Sequence, residues 1–466
     1  MKEYSIRTEP LEFLAILEIE MKEEINQHGY LRITGYISDE AEEEYLHQLR
    51  DDLWEKVELA GRDGERAILF WGLVREFMIE QGNDQRKLTL ILQSGSCLME
   101  EKRHFRSWQT KGISYERIVE EVCRGYPQSG IIFSSTLKEE IEELILQNEE
   151  TDWDFLRRMA SRKNRFLAAE SRLPGCKIFY DMPAGKEISF SAQNKYSLRK
   201  ELGEYRRKKK DGLPWLIEDD SLIYEIESRE NQRIGDYVVM RGNKLYLYKI
   251  EGSYQGGEMY YRYQFKYDAG LSIPQIWNQK SAGCSFRAQV IKVKEDKVQI
   301  ALLEDENGKQ EINLWYPYAT VYSTPDGTGW YCMPEIGDEV RLTIPGKEEK
   351  EAYVTSSVHL DTDSEERKNP EEKVFKTRQQ KEIRFTPDSI VITNNQGNRI
   401  ELRDQEGIQI VSSGSLLLEA AKDIIISSDE GSLLAAGAST VKLKQKGTSI
   451  QLDEGISFIG GELKVQ

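Results

Sequence analysis

Apolar and β-branched residues fall in strand-length runs over much of the first hundred positions: Phe13 to Glu20, Gly29 to Gly35, Ala67 to Ile79 and Lys87 to Ser94. Such runs predict β-strands. Between them, Asp39 to Leu53 is acidic and carries Ala41, Tyr45, Leu46 and Leu49 at helical spacing, which predicts a helix. Three more helices are expected downstream. Ser114 opens YERIVEEVC, with Ile118, Val119 and Val122 on one face, and Thr136 opens a segment with Leu137, Ile141, Leu144 and Ile145 at the same spacing. Thr151 opens the third, where Asp154 stands at the acid position of a capping box and Trp153, Phe155, Leu156 and Met159 supply the buried stripe. From Cys176 to about Tyr267 the pattern returns to strands (KIFYD, KEISFS, YVVMR, KLYLYKI, MYYRYQFKY), whose dense aromatics read as packing and subunit contact. Residues 1–280 are thus expected to form two barrel-like β subdomains with a helical insertion at 114–165.

Five short runs follow at barrel spacing: FRAQVIKV, KVQIALL, EINLWYPY, EVRLTI and AYVTSSV. They suit an OB-type barrel over 281–360. No basic groove with exposed aromatics accompanies them, so nucleic acid is not the expected ligand. Asp361 to Gln380 is charged and poor in apolar residues, which reads as a linker or collar and not a packed element.

The last 80 or so residues carry a repeat. Ile392, Ile400, Ile408, Leu416 and Ile424 recur at every eighth position, and Leu402, Ile410, Leu418, Ile426 and Leu434 recur at the same interval, offset by two. An apolar pair at i and i+2 means one short strand per repeat with one face inward. Gly397, Gly407, Gly414 and Gly431, with Asn, Asp and Ser neighbours, supply corners. After Leu434 the rhythm continues with a looser register. Eight residues are too few for a full coil of a single-chain β-helix, but they fit one wall of a triangular prism wound from three chains. One chain alone would expose its isoleucines and leucines together with open strand edges. The ten apolar residues just named are therefore the expected trimer core of an intertwined triple-stranded β-helix over 381–466. About ten strands at ~4.8 Å would make it roughly 45 Å long. A stiff rod with a narrow end suits puncture better than ligand binding.

Charge narrows the partners. The 466 residues include 81 acidic and 64 basic side chains, a net charge of −17, which argues against nucleic acid as a main partner. The one basic run, Arg206 to Lys210, reads as a solvated loop after a polar helix. Five cysteines (Cys97, Cys123, Cys176, Cys284, Cys332) are scattered singly and read as reduced, buried thiols with neither disulfide nor zinc spacing. No signal-peptide pattern opens the chain and no apolar run approaches a membrane span. The expectation is synthesis in the cytoplasm and export by something other than a signal peptide. Neither a Walker loop, HExxH, nucleophile elbow nor CxxC pair occurs, and His28, His47, His104 and His359 are far apart in sequence and read as surface or loop residues. No catalytic, cofactor or metal site is expected; the protein does not read as an enzyme.

With these segments in place, the chain resembles the VgrG family of spike proteins from type VI secretion and related phage-tail-like injection systems. QNEETDWDFLRRMASR (Gln147 to Arg162) looks like the family's helix entry in the hub, and GWYCMPEIGDEVRL (Gly329 to Leu342) like its OB-barrel stretch. KEIRFTPDSIVITNNQGNRIEL (Lys381 to Leu402) looks like the start of its β-prism, and ILFWGLV (Ile68 to Val74) is a weaker match. The resemblance implies a mainly β fold in the order phage-hub-like domain, OB barrel, triple-stranded needle. It implies a homotrimer docked on tail-tube and baseplate proteins, delivered outward on sheath contraction and meeting the target membrane mechanically. It further implies a PAAR-like tip protein or effector, for which Leu463, Lys464, Val465 and Gln466 would be the seat. Two rivals remain from other classes: a trimeric glycan-binding adhesin or tail-fibre protein, and a polysaccharide lyase or hydrolase on a solenoid. Phe458 is the one aromatic after Phe385, which gives a glycan little to stack on.

Overall fold

The computed structural model describes residues 4–49, 52–61, 65–82, 84–135, 137–190, 195–240, 242–308, 310–359, 364–452 and 456–459. It is mainly β and divides into two compact units, Met1–Leu360 and Asp361–Gln466.

The first unit begins with β1 (Tyr4–Glu9), β2 (Ala15–Glu24), β3 (Tyr30–Ile37), α1 (Ala41–Gln48), β4 (Trp54–Gly61), β5 (Arg66–Gly82) and β6 (Gln85–Gln93). A helix-bearing stretch then holds β7 (Arg103–Trp108), α2 (Tyr115–Cys123), β8 (Gly130–Phe133), β9 (Ile145–Thr151), α3 (Asp152–Ser161), β10 (Leu167–Ala169) and β11 (Lys177–Tyr180). Strands resume with β12 (Tyr196–Lys200), α4 (Leu202–Lys210), β13 (Leu222–Ser228), β14 (Tyr237–Met240), β15 (Asn243–Gln255), β16 (Glu258–Tyr267) and α5 (Asp268–Leu271). The early and late strands join in one eleven-stranded sheet, ordered β1-β4-β5-β6-β3-β2-β15-β16-β13-β12 with β14 on β15. The seam is the antiparallel pair β2–β15, from Lys249 opposite Glu24 to Tyr254 opposite Ile19. Leu31 and Ile33 on β3, and Leu88, Leu90 and Leu92 on β6, alternate inward and share one core with Tyr261, Tyr263 and Phe265 of β16.

Local chemistry explains two of the helices. The Ser114 and Thr151 hydroxyls accept the backbone N–H of Arg117 and Asp154, capping α2 and α3. Trp108 stacks on Phe155 at 5.1 Å in the core beneath them. No helix forms over Leu137 to Ile145, contrary to the spacing. The chain runs there in irregular form, Ile141 exchanging backbone hydrogen bonds with Gly112 and Ile113, before entering β9. Its apolar residues serve two cores, Leu137, Ile141 and Ile145 one and Leu144 with Leu146 another, so helical spacing arose without a helix. The basic run, expected as a loop, instead forms the last turns of α4.

The barrel comprises β17 (Ser285–Lys294), β18 (Lys297–Leu302), β19 (Tyr316–Pro317), β20 (Glu339–Thr343) and β21 (Tyr353–Thr355), ordered β19-β18-β17-β20-β21. A parallel bridge between Tyr318 and Val354 draws its ends together, with Ala319 N–H donating to the Val354 carbonyl at 2.8 Å. Leu144 and Leu146 enter the barrel core, and Phe105 lies 5.4 Å from Phe286.

Charged side chains hold the barrel to the helix-bearing stretch. Arg158 of α3, almost wholly buried, donates to both Glu150 oxygens at 2.8 Å and to Glu349 of the barrel at 3.0 Å. Arg162 reaches the other Glu349 oxygen as well as Glu143. Nearby, Asp152 accepts from Arg106, Gln147 and Tyr126 at 2.9, 2.8 and 2.7 Å. His104 is buried, 2.8 Å from Glu306, and His28 bonds Ser96 at 2.7 Å while packing on Trp153. These two histidines are therefore partnered and substantially covered, not bare surface residues. Cys97, Cys123 and Cys176 are buried, whereas Cys284 is half-buried and Cys332 exposed, so two of the five thiols depart from expectation.

The second unit opens within the stretch expected to be unpacked: β22 (Lys373–Lys376) pairs with β23 (Glu382–Phe385). An antiparallel meander continues through β24 (Ser389–Thr393), β25 (Arg399–Arg403) and β26 (Gly407–Val411). Residues 412–440 form no strand within the chain, and a second meander follows with β27 (Val441–Gln445), β28 (Thr448–Leu452) and β29 (Ile456–Ile459).

Candidate oligomer interface

The first meander sorts its side chains by the two-residue period of a strand. Register sets Ile383 and Phe385 opposite Ile392 and Ile390, Ile392 and Ile390 opposite Ile400 and Leu402, and these opposite Ile410 and Ile408. The result is an apolar ladder four strands wide on one face. Every rung is exposed in the single chain, and Ile408 reaches 73%. Cross-strand apolar pairs of this kind stabilise a sheet, but leaving the whole face in water forfeits most of the gain from burial.

The other face is polar and better covered. Arg399 and Arg403 flank Glu401, and Arg399 also donates to Gln409 at 2.7 Å. Burial pushes the Glu382 carboxyl up, yet hydrogen bonds from Arg384 and Asn395 outweigh it and hold it below the ordinary carboxylate value. The sheet thus carries its ion pairs on one side and its isoleucines on the other, the reverse of a sheet whose apolar side is already packed. Gly397, at φ +93, makes the corner before β25; a Cβ there would meet Ser413 at 2.8 Å.

Of the ten residues expected at a trimer axis, Ile392, Ile400, Leu402, Ile408 and Ile410 lie together on this ladder. The other five, Leu416, Leu418, Ile424, Ile426 and Leu434, fall in 412–440 and are likewise exposed. The eightfold rhythm does not single out Ile390, beside Ile392 on β24, nor Ile383 and Phe385, which extend the ladder one strand earlier to β23; their i, i+2 spacing is visible, but they precede the regular repeat. Sequence reasoning also passed over Leu417, Ile425 and Leu433, a third eightfold track that turns the later repeats from alternating to continuously apolar. A strand apolar on successive residues has two faces to cover. The expected tip-protein seat, Leu463, Lys464, Val465 and Gln466, lies outside the described residues.

Residues 30–172 match the family model described as phage tail baseplate hub (GPD). The match lies wholly within the first unit. It begins at β3 and ends just after β10, so it includes Arg158 and Arg162, which reach Glu349 of the barrel. The fold around the hub is similar to that of the E. coli c3393 protein, a type VI secretion component described as similar in structure to the T4 bacteriophage tail proteins gp27 and gp5. Identity there is 13%, with 76% of this chain and 100% of that chain covered and a TM-score of 0.52. The Francisella PdpA–VgrG complex, in its half-lidded form, is similar at 10% identity, 88% coverage of each chain and a TM-score of 0.57. The lidded form gives 10% identity, 88% of this chain, 80% of that chain and a TM-score of 0.56. No curated protein matches by sequence. Hub family and fold together support the resemblance to VgrG-type spikes, in a mainly β chain of the hub-and-barrel kind. Among the described residues no helix is long and apolar enough to cross a membrane.

Proposed function

We propose that this chain is the central hub and spike of a contractile injection machine, working as a homotrimer whose C-terminal prism leads when the sheath contracts. The carrying observation is the apolar ladder from Ile383 to Ile410, continued by exposed leucines and isoleucines through Leu434, which one chain leaves facing water. Two further copies of the same chain cover it best, because the repeat is self-similar and three equivalent strips can close round one axis. Burying a Leu or Ile side chain is worth about 1.5–3 kcal/mol, so ten such residues per chain supply a large drive to associate.

In this reading the hub docks on tail-tube and baseplate proteins, and penetration draws its energy from the sheath, not from a nucleotide site in this chain. The segment Leu463 to Gln466 seats a tip protein or effector; the Francisella complex of VgrG with PdpA is a relative with a separate protein partner. The three copies would weigh about 162 kDa, from 54.0 kDa each. Light scattering on the full chain is the test. A species near three chain masses is expected, reduced toward one mass by Ile408→Asp with Ile410→Asp; a well-folded monomer of the unaltered chain overturns the proposal.

A further inference from the structure

The basic run is out of place in a chain of net charge −17. On α4 it presents Arg206, Arg207, Lys209 and Lys210 to solvent, while Lys208 turns inward to Glu204 at 2.9 Å and to the Gly270 carbonyl at 2.8 Å. Arg206, Arg207 and Lys210 have no ion-pair partner among the described residues. One or two cations suffice to complement the C-terminal end of a helix dipole. Arg206, Arg207 and Lys210 are thus cations without an ion pair among the described residues, in a stretch whose neighbours include the exposed Asp211 and Asp219, and Trp215 and Ile217 stand exposed just beyond. Helix α4 joins β12 to β13, the last two strands at one end of the eleven-stranded sheet.

The opposite end has the opposite character. Helix α1 leads into β4, the neighbour of end strand β1. Arg86 takes up Asp39 and Glu42, which leaves Glu40, Glu43 and Glu44 exposed with Leu46 beside them. Among the described residues, both end strands, β1 and β12, have a single neighbour in the sheet, so both ends present backbone groups open to pairing.

We infer that the exposed basic end of α4, with Trp215, is a subunit contact that receives the acidic face of α1 from a second copy of this chain. The inference rests on the trimer proposed above and goes beyond it by assigning a contact in the hub, away from the apolar ladder. A closed ring of three uses heterologous contacts, in which one patch of each copy meets a different patch of the next. One sheet carrying a basic, aromatic end and an acidic end supplies both halves of that contact. Trp215 is the kind of side chain that anchors an interface, and the surrounding charges set register and reject like-charged pairings.

The test uses the full chain, half of it labelled with heavy nitrogen, mixed and joined by a zero-length carbodiimide. Cross-links from Glu43 or Glu44 to Lys209 or Lys210 in mixed light–heavy pairs are expected. Lys209→Glu with Lys210→Glu should weaken association at least tenfold, and adding Glu43→Lys with Glu44→Lys should restore most of it. A trimer that forms without these cross-links and is indifferent to both charge reversals overturns this contact while leaving the prism proposal standing. Failure of the unaltered chain to trimerise at all sinks both. Binding of the trimer to phosphatidylglycerol vesicles that is lost in K209E/K210E, with subunit exchange unchanged, would assign the patch to an anionic membrane and overturn the contact.

Discussion

Arg158 and Glu349 stand 191 residues apart in sequence and 3.0 Å apart in space, both nearly inaccessible to water. The pair joins the hub helix α3 to the barrel. Removing Arg158 strands the largely covered Glu150 carboxylate and leaves Glu349 with Arg162 alone, which costs about 3–5 kcal/mol, whereas replacing Arg158 together with Glu150 by apolar residues of similar size costs far less. Arg158→Ala is therefore expected to lower stability by about that amount in urea unfolding at fixed protein concentration, and Arg158→Met with Glu150→Met, which leaves Glu349 on Arg162, by less than half of it.

Glu55 gives the fold a pH dependence. Burial pushes its carboxyl up to about 8, against the pull of hydrogen bonds from the Leu11 and Glu9 backbone. A folded-state value above the unfolded one means that its contribution is complete below about pH 4.5 and is lost as pH rises through 8. The loss at pH 9 is on the order of 5 kcal/mol. Thermal unfolding across pH 5 to 9 should show that slope in the parent chain and a flatter one in Glu55→Gln.

Gly95 tests close packing. A Cβ there would lie 2.2 Å from the Gly175 carbonyl oxygen and 2.6 Å from the half-buried Trp54 ring, so the Gly175 backbone would have to shift. Gly95→Ala should cost about 3 kcal/mol or more, read as a lower denaturant midpoint. Gly203→Ala is the control: nothing lies within 4 Å of its added Cβ, and it sits inside α4, so stability should hold or rise slightly.

The thiols should separate cleanly by reactivity. Burial pushes Cys97 up to about 11 and Cys176 up to about 12, and pushes Cys123 up as well, while Cys332 is exposed. A thiol-reactive dye at pH 8 should modify Cys332 first and leave those three untouched until the chain unfolds. Mass mapping of labelled peptides checks the order.

Much of the fold was legible because it follows from alternation and caps. Leu88, Leu90 and Leu92 alternate inward on β6, and Ser114 and Thr151 cap their helices, all as local chemistry requires. What escaped depended on distant partners. Leu137 to Ile145 imitates a helix because its apolar residues feed two separate cores, and only the barrel's position reveals the second. Helix α4 lacks an apolar stripe, with Leu202 its sole aliphatic residue, so periodicity could not find it. His104 gains its partner from Glu306, some 200 residues on, which no local pattern signals. In the repeat, spacing points to five of the eight ladder residues, Ile392, Ile400, Leu402, Ile408 and Ile410, but it does not show that β22 to β26 pair within their own chain while 412–440 does not.

That last difference bears on how the protein is made. If other copies complete 412–440, that stretch cannot form its structure at a pace set by its own chain alone. On the reading proposed here, copies emerging close together, as from neighbouring ribosomes on one message, would finish their tails sooner than the same number diluted through the cell. The speed of assembly would then record how crowded the nascent chains are.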